Sequence, residues 1–205
     1  MMPPSCWSRA SRTWLLLSSG WAEQNPEDWF NAFQSGLKDI LARHPDAVKR
    51  ISAIGVTGQM IGLTILDKSG SVVRPAIIWM DQRCLPQVDR LKKDFKDLIW
   101  RRAFNPVNIT YTLPKILWLE ENEPDAWARL YKIQLPKDYV RLRLTGTWVM
   151  DHNDASGTLL LDVADLRWSD EIIDALGLVY AVIALLLLYN LSSRVSQTKG
   201  KPAVA

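Results

Sequence analysis

The chain has 205 residues, of which 48% are hydrophobic, and its 25 basic and 22 acidic side chains give a formal charge of +3. This length favours one domain with a real core, and this composition excludes a disordered chain. The mixed charge predicts neither nucleic acid nor a membrane surface as partner. Two isolated cysteines and two histidines fit neither a disulfide framework nor a metal site, and they favour the cytoplasm.

The first nineteen residues give little structural information. Two arginines precede the apolar run Trp14–Leu17, which resembles a signal peptide only faintly because its four residues fall short of the usual ~7–15. We expect one short strand at most, at Thr13–Leu17. A helix is predicted next, because Asn25 followed by Pro26 is typical of a helix start and apolar residues recur at helical spacing to about Arg43.

Three strands are predicted in succession after this helix. Ile51–Val56 is rich in β-branched residues, and Leu63–Leu66 is a second apolar run. The sequence Asp-Lys-Ser-Gly at 67–70 is typical of a turn, so Val72–Trp79 is predicted to return as the second strand of a hairpin.

Polar residues follow the first and last of these strands. Gln59 and Met60 follow one strand, and Asp81, Gln82 and Arg83 follow the other. Groups just beyond strand ends are held rigidly by the sheet and remain exposed, which is where α/β proteins bind small ligands. The pattern predicts the rim of a small-molecule pocket.

The remainder of the chain to Leu178 alternates amphipathic helices with short apolar strands. A polar loop over the pocket is predicted at Asn105–Thr112, and Gly146 and Gly177 are typical of residues that end helices. Helices are predicted over 85–100, 114–122, 124–131, 137–144 and 169–177, and strands over 133–135 and 159–161.

An almost wholly apolar run, Val179–Leu191, precedes a Lys/Gly/Pro tail. As a helix, thirteen residues span only ~20 Å, which is shorter than the ~30 Å hydrocarbon core of a bilayer. A helix packed on the domain, or an apolar end that has lost its continuation, is favoured over a membrane anchor.

Several motifs occur in a fixed order along the chain. Between residues 55 and 83 the sequence reads GVTGQM-x-G, LD-x-x-G and V-x-RPAI-x-W-x-D-x-R, and further pieces follow downstream: PKILW at 114–118, LPKDY at 135–139, RLTG at 143–146 and SGT at 156–158. Together they resemble the N-terminal domain of the FGGY carbohydrate kinases, above all the xylulokinase group. The resemblance covers residues 20–178, and leaves 1–19 unassigned and 179–205 outside the pattern.

The resemblance implies an α/β fold, namely a ribonuclease H-like (actin-like ATPase) lobe with a mixed sheet flanked by helices. It implies ATP-dependent phosphorylation of D-xylulose or a related ketose, with Mg²⁺. The family's D-x-G-T phosphate turn and its G-G-x-D-N stretch with the catalytic Asp do not occur in the 205 residues. No catalytic, cofactor-binding or metal-binding residue is therefore assigned, and the lobe is expected to be incomplete and inactive alone.

By the same resemblance, the family's sugar-contacting G-Q-M-H step falls on Gln59, Met60 and Ile61. Ile61 stands where the family has His, and Met80 stands where Asn is usual. Both departures replace polar groups with apolar ones, which indicates relaxed selection or changed specificity. Gln59 alternatively serves only to satisfy backbone groups at a strand end.

Three further sugar-site residues are implied: Trp79, Asp81 and Tyr111. Packing beneath the pocket is favoured over stacking on the sugar for Trp79. Asp81 is equally well explained by an ion pair with Arg83.

Two functions remain open at this point. The first is the sugar-side lobe of a kinase, present as a truncated gene, a split gene or a degraded copy. The second is a non-catalytic module that binds a sugar or docks on a kinase. The expected partners are a small sugar and either a complementary second lobe or another copy of the chain; loss of a central strand would leave exposed sheet edges and a marginal fold.

Overall fold

The computed structural model describes residues 20–178 and 187–188. The helices are α1 (Pro26–Arg43), α2 (Ala47–Arg50), α3 (Leu85–Asp94), α4 (Lys96–Ala103), α5 (Thr112–Asn122), α6 (Pro124–Arg129), α7 (Pro136–Thr145), α8 (His152–Ser156) and α9 (Asp170–Ala175). The strands are β1 (Glu23–Gln24), β2 (Thr64–Leu66), β3 (Ala76–Ile77), β4 (Lys132–Gln134), β5 (Val149–Met150), β6 (Leu161–Asp162), β7 (Arg167–Trp168) and β8 (Leu187–Leu188).

Four of these strands lie side by side in the order β1, β3, β2, β4. β1 pairs with β3 and β2 pairs with β4, both antiparallel, and Ile65 lies opposite Ile133. An isolated bridge between Leu63 and Ile77 joins the two pairs. β5 pairs with β8 in parallel in a separate two-stranded sheet, so antiparallel and parallel pairing both occur among the described strands.

Helix α1 confirms the predicted helix to its last residue. The Oδ1 atom of Asn25 accepts a hydrogen bond from the Glu27 backbone N–H at 3.1 Å, and Pro26 occupies the first turn. Arg43 lies in the last turn, where a cation complements the negative end of the helix dipole.

The predicted strand Ile51–Val56 is wrong. Residues 51–59 have no regular secondary structure, and the backbone of 52–62 makes no backbone–backbone hydrogen bond with any described residue. A β-strand exists only where a neighbour supplies ladder partners, and a β-branched composition cannot replace that neighbour. We call residues 51–62 the edge segment.

The predicted hairpin forms, but its second strand is short. The Val73 N–H donates to the Ile65 carbonyl at 3.0 Å and the Gly70 N–H closes the turn onto the Asp67 carbonyl. Regular pairing resumes only at β3, because Pro75 has no N–H to donate to a ladder.

The single helix predicted over 85–100 is two helices that meet at Phe95, whose φ is −131° and ψ 6°. The break lets α3 pack along α5 while α4 packs against β6 and α9. Helical periodicity alone could not reveal this change of direction, because Phe95 keeps the helical spacing of the apolar residues.

Most other boundaries agree with the prediction within two or three residues. Gly146 caps the C-terminal end of α7 with a φ of +68°. Gly177 follows α9 with a φ of +65°. The strand expected at 159–161 begins only at Leu161, because Leu159 has a left-handed φ of +64° that a strand cannot contain.

The core consists of two clusters. The larger packs strands β2, β4 and β6 against α3, α4, α5 and α9, with fully buried residues such as Leu91, Ile99, Leu113 and Leu119. The smaller has five buried residues beside α1 and α7: Phe30, Leu66, Tyr139, Val140 and Leu142.

The apolar run at 179–191 lies outside the described residues except for β8, which is a strand rather than the helix considered above. Among the helices that the structure describes, none combines the length and the apolar character that crossing a bilayer requires.

Candidate functional site

The end of the edge segment passes very close to α7. A Cβ atom on Gly58 would lie 3.3 Å from the Lys137 Cβ, and one on Gly62 would lie 2.9 Å from the Pro136 Cγ. Real Cβ atoms do not come as close as the second distance, so Gly62 is required for this approach. The two glycines bring the GQM step against the start of α7.

Gln59 lines a cavity of about 320 Å³ between α1 and α7. Its Nε2 donates to the Gln24 Oε1 at 2.6 Å, and the Trp29 Nε1 donates to the same oxygen at 2.9 Å. The cavity is lined by Trp29, Phe33, Gly55, Val56, Thr57, Gly58, Gln59, Pro136, Lys137 and Val140. An apolar pocket with a few fixed polar groups is the usual form of a small-molecule site.

Met60 and Ile61 follow Gln59 directly. Met60 is 47% exposed. Ile61 has a left-handed φ of +56°, which is uncommon for a β-branched residue, and its carbonyl accepts a hydrogen bond from the Thr112 Oγ1 at 3.2 Å. A Cβ on Gly157 would lie only 2.7 Å from the Ile61 Cγ2, so this step is fixed by close packing on two sides.

Trp79 and Asp81 lie on the turn that follows β3. Trp79 is 44% exposed, whereas Asp81 is fully buried. The Asp81 Oδ2 accepts from the Ala22 N–H at 2.6 Å and from the Arg83 Nη2 at 2.7 Å. The ion pair that the sequence offered as one explanation of Asp81 is therefore present.

Arg83 is the centre of a buried network. Its guanidinium carbon lies 3.8 Å from the Trp21 ring centroid and 4.9 Å from that of Trp118, and its Nη1 lies 2.6 Å from the Glu23 Oε1. Cation–π contacts and a carboxylate on each side compensate the buried charge. The network fixes the turn that carries Trp79.

Tyr111 lies at the end of the predicted polar loop, just before α5. Its hydroxyl donates to the Asn105 Oδ1 at 3.1 Å. Lys115 is fully buried and its Nζ donates to the carbonyls of Ile109, Thr110 and Tyr111 at 3.1, 2.5 and 2.9 Å. Burial lowers the pKa of Lys115 to about 8. This side chain holds the loop in place.

A second group of charged residues was missed by the sequence reasoning. Lys137 pairs with Asp151 and Asp154 at a smaller cavity of about 180 Å³ on the other side of Val56. Burial lowers the pKa of Lys137, but the hydrogen bonds to Asp151 and Asp154 outweigh burial, so the pKa is raised above its usual value. A cation in the first turn of α7 opposes the helix dipole, and that anomaly was the available signal for a carboxylate partner.

Asp138 lies beside this group and is 1% exposed. Its Oδ1 is 3.3 Å from the Arg141 Nη2, and its Oδ2 has no hydrogen-bond partner among the described residues. Burial raises the pKa of Asp138 to about 6 despite the nearby cations Lys137 and Arg141.

The six predicted sugar-site residues are not all in one place. Gln59 lines the larger cavity, and Ile61 is tied to Thr112, the neighbour of Tyr111. Trp79 and Asp81 belong to a separate turn beyond β3. Their roles in binding stay predictions.

The described residues offer few groups that could hold ATP and Mg²⁺. Residues 20–178 and 187–188 contain no group of three or more His, Cys, Asp or Glu side chains arranged to hold a metal ion. Lys137 lines the larger cavity, but its Nζ is already paired with the carboxylates of Asp151 and Asp154. The described residues at this cavity therefore do not fit a nucleotide–metal complex.

Solved structures of sugar kinases have the same fold. A xyloylose kinase from Brucella ovis superposes with a TM-score of 0.75 at 39% identity, over 79% of this chain and 34% of that one. A xylulose kinase from Rhodospirillum rubrum gives a TM-score of 0.78 at 26% identity, over 83% of this chain and 35% of that one. The predicted α/β fold of an actin-like sugar-kinase lobe is confirmed.

The sequence comparisons agree with the fold. The chain is 41% identical over 159 residues to the xylulose kinase of Lactococcus lactis, which covers 78% of this chain and 32% of the relative. The profile of the N-terminal domain of the FGGY family of carbohydrate kinases matches residues 9–200. The chain belongs to the FGGY family, and it spans about a third of the length of the relatives that it matches.

Proposed function

We propose that this chain forms the sugar-binding part of a kinase that phosphorylates D-xylulose or a related ketose from ATP and Mg²⁺, and that it has no kinase activity by itself. The observation that carries the proposal is Gln59, which lines an apolar cavity in a chain that is about 40% identical to xylulose kinases over the matched residues. Its location is proposed to be the cytosol, in keeping with the buried free thiol of Cys84.

The sugar is proposed to enter the larger cavity from the GQM step. The Gln59 Nε2 already donates to Gln24, so the Gln59 Oε1 is the atom that accepts a hydrogen bond from one sugar hydroxyl. Met60 and Ile61 cover the apolar C–H face of the sugar. Ile61 cannot replace the hydrogen bond of a histidine, which shifts the preferred sugar away from the one that the family's His selects.

The remaining predicted residues do not line the larger cavity, and we propose that they contact the sugar from outside it. Trp79 covers the sugar, and the Tyr111 hydroxyl, which already donates to Asn105, accepts a hydrogen bond from one sugar hydroxyl. Asp81 acts indirectly, because its carboxylate is bound to Arg83 and so fixes the turn that presents Trp79.

Transfer of the γ-phosphoryl group requires a carboxylate to take the proton of the sugar hydroxyl and cations to hold the phosphates. We assign both tasks to parts of the relatives outside the matched third. Lys137, which lines the cavity, is itself paired with the carboxylates of Asp151 and Asp154.

Calorimetric titration of the full chain with D-xylulose tests the binding half of the proposal. We expect saturable binding that Gln59→Leu abolishes. Gln34→Leu, which makes the same change at an exposed position of α1, should leave binding unchanged. Absence of binding to D-xylulose and to the other ketopentoses would overturn a sugar-binding role.

A coupled ADP-release assay tests the catalytic half. With ATP, Mg²⁺ and D-xylulose, the chain alone should show no turnover above background. If the unmodified chain shows turnover and Gln59→Leu does not, the predicted inactivity is wrong, but the assignment of the sugar site to Gln59 is supported.

A further inference from the structure

Among the described residues, the edge segment has no strand paired beside it. It begins at the end of α2, and from Ile51 to Gln59 all residues are exposed except Val56 and Gln59, which are half-buried. Within the described chain, its backbone amides and carbonyls from 52 to 62 form no backbone ladder. A row of such groups is a template for another strand.

The composition of the segment carries none of the usual protections. The sequence ISAIGVTGQMIG contains no charged residue and no proline, and four of its first seven residues are β-branched. Natural edge strands are normally blocked by lysine, proline or an inward charge. Neutral, proline-free runs with β-branched residues have a strong tendency to pair with other strands.

Exposed apolar side chains concentrate around the same segment. Ile51 is 43% exposed, Ile54 51% and Met60 47%, and Val48 in the preceding α2 is 65% exposed. Exposed apolar residues that cluster in this way mark interaction surfaces, whereas single ones do not.

We propose that the edge segment pairs antiparallel with the same segment of a second copy of this chain, so that two lobes form a dimer across a two-fold axis. A two-fold interface uses one patch against itself, and it is self-complementary when no like charges meet. If the pairing is centred on Gly55, Ile51 of each copy lies opposite Gln59 of the other, so the paired run contains no charged residue. Arg50 is the last residue of α2 and lies outside the paired run. The two copies of Ile51 are then about 26 Å apart at ~3.3 Å per residue, which keeps the two arginines well separated.

Self-pairing is favoured over a charged partner by what surrounds the segment. Lys137 beside the run is neutralised by Asp151 and Asp154, and the exposed Lys49 and Arg50 lie only at its N-terminal end. The length of the run itself therefore carries no charge to steer an acidic or basic peptide. In this register Ile54 is covered by Val56 of the second copy, and Ile51 is covered by Gln59 of the second copy. The dimer would add a ladder beside the cavity that Gln59 lines.

Sedimentation analysis of the full chain over a range of concentrations tests the proposal. We expect a monomer–dimer equilibrium that Ile54→Lys shifts to monomer, because a lysine in the run is the usual block to edge pairing. Trp100→Lys is the matched control: Trp100 is 56% exposed on α4, so it receives the same charge at an exposed apolar position away from the segment. The control should dimerise like the unmodified chain.

Hydrogen exchange identifies the surface that is used. The amides of 52–58 should be protected in the dimer and should lose protection on dilution or in Ile54→Lys. A monomer at all soluble concentrations would overturn the proposal, as would a dimer in which these amides exchange freely. Protection that is independent of concentration would also overturn it, because a segment of the same chain then covers the edge. None of these outcomes depends on sugar binding or kinase activity.

Discussion

The two halves of the described chain differ in how completely they are packed. The body comprises α3, α4, α5, β6 and α9, and each of these elements contributes at least one fully buried apolar residue to the larger core cluster. The edge region, which comprises the edge segment with α1 and α7, has a cluster of five buried residues and a chain without ladder partners among the described residues. Stability is therefore expected to come from the body.

Both halves contain buried charged groups, and they differ in how these charges are compensated. Lys115 on α5, and Arg83 just before α3, are surrounded by carbonyls, carboxylates and rings. In the edge region, the Asp138 Oδ1 is 3.3 Å from the Arg141 Nη2, and its Oδ2 has no hydrogen-bond partner among the described residues. A buried carboxylate that is incompletely compensated costs free energy when it is ionised.

The largest effect is expected for Arg83→Met. Removing the guanidinium leaves Asp81 uncompensated in a fully buried position, and breaking a buried pair in this way costs about 4–5 kcal/mol. Urea unfolding followed by tryptophan fluorescence measures the loss. Arg101→Met, which removes an exposed partner of Glu171, should leave the unfolding midpoint unchanged. Equal effects of the two changes would contradict the packing of Arg83 between Trp21 and Trp118.

A cavity in the body should cost slightly less. Leu119 on α5 is fully buried, so Leu119→Ala is expected to destabilise the fold by about 3–4 kcal/mol in urea unfolding. In the edge region, Ile54→Ala should change the stability of the monomer by less than about 0.5 kcal/mol, since half of that side chain is already in water. If Ile54→Ala cost as much as Leu119→Ala, the division into a packed body and an open edge would be wrong.

The same division explains what the sequence could predict. Helix α1 was predictable to its ends because Asn25, Pro26 and the apolar spacing all act locally. The strand at Ile51–Val56 was not, because strand formation depends on a neighbour that no local pattern reports. The break at Phe95 depends on the two surfaces that α3 and α4 meet, which lie far away in sequence.

The candidate site divides in a similar way. The resemblance to the family located the GQM step, and the structure brings Gln59 to a cavity. The pairing of Lys137 with Asp151 and Asp154 joins residues 14 and 17 positions apart across two helices. Spacing alone does not reveal such a contact, although the cation at the start of α7 gave an indirect sign.

Asp138 provides a pH test of the edge region. Its pKa is raised by burial from 3.8 to about 6, so the folded state binds the proton more tightly than the unfolded state does. The stability that this proton contributes is fully present below pH 3.8 and is lost as the pH rises to about 6. Relative to Asp138→Asn, the unmodified chain should lose about 2–3 kcal/mol across this window.

Urea unfolding of both proteins at a series of pH values measures the difference and cancels the titration of the other groups. Asp125→Asn, at an exposed position of α6, is the matched control and should run parallel to the unmodified chain. A difference between Asp138→Asn and the unmodified chain that stays constant from pH 4 to pH 7 would show that Asp138 is ionised normally.

The smallest effect concerns the backbone of Ile61. An Ile at φ +56° costs roughly 1–2 kcal/mol, whereas Asn tolerates the left-handed region because its side chain bonds locally. Ile61→Asn gives up part of a half-buried apolar side chain, so the net gain in urea unfolding is expected to be about 0.5–1 kcal/mol. Ile54→Asn, at an exposed position without a positive φ, should give no gain. If both substitutions destabilise the fold equally, the Thr112 hydrogen bond and the Gly157 contact hold Ile61 without backbone strain. The apolar side chain of Ile61 would then affect only the sugar specificity.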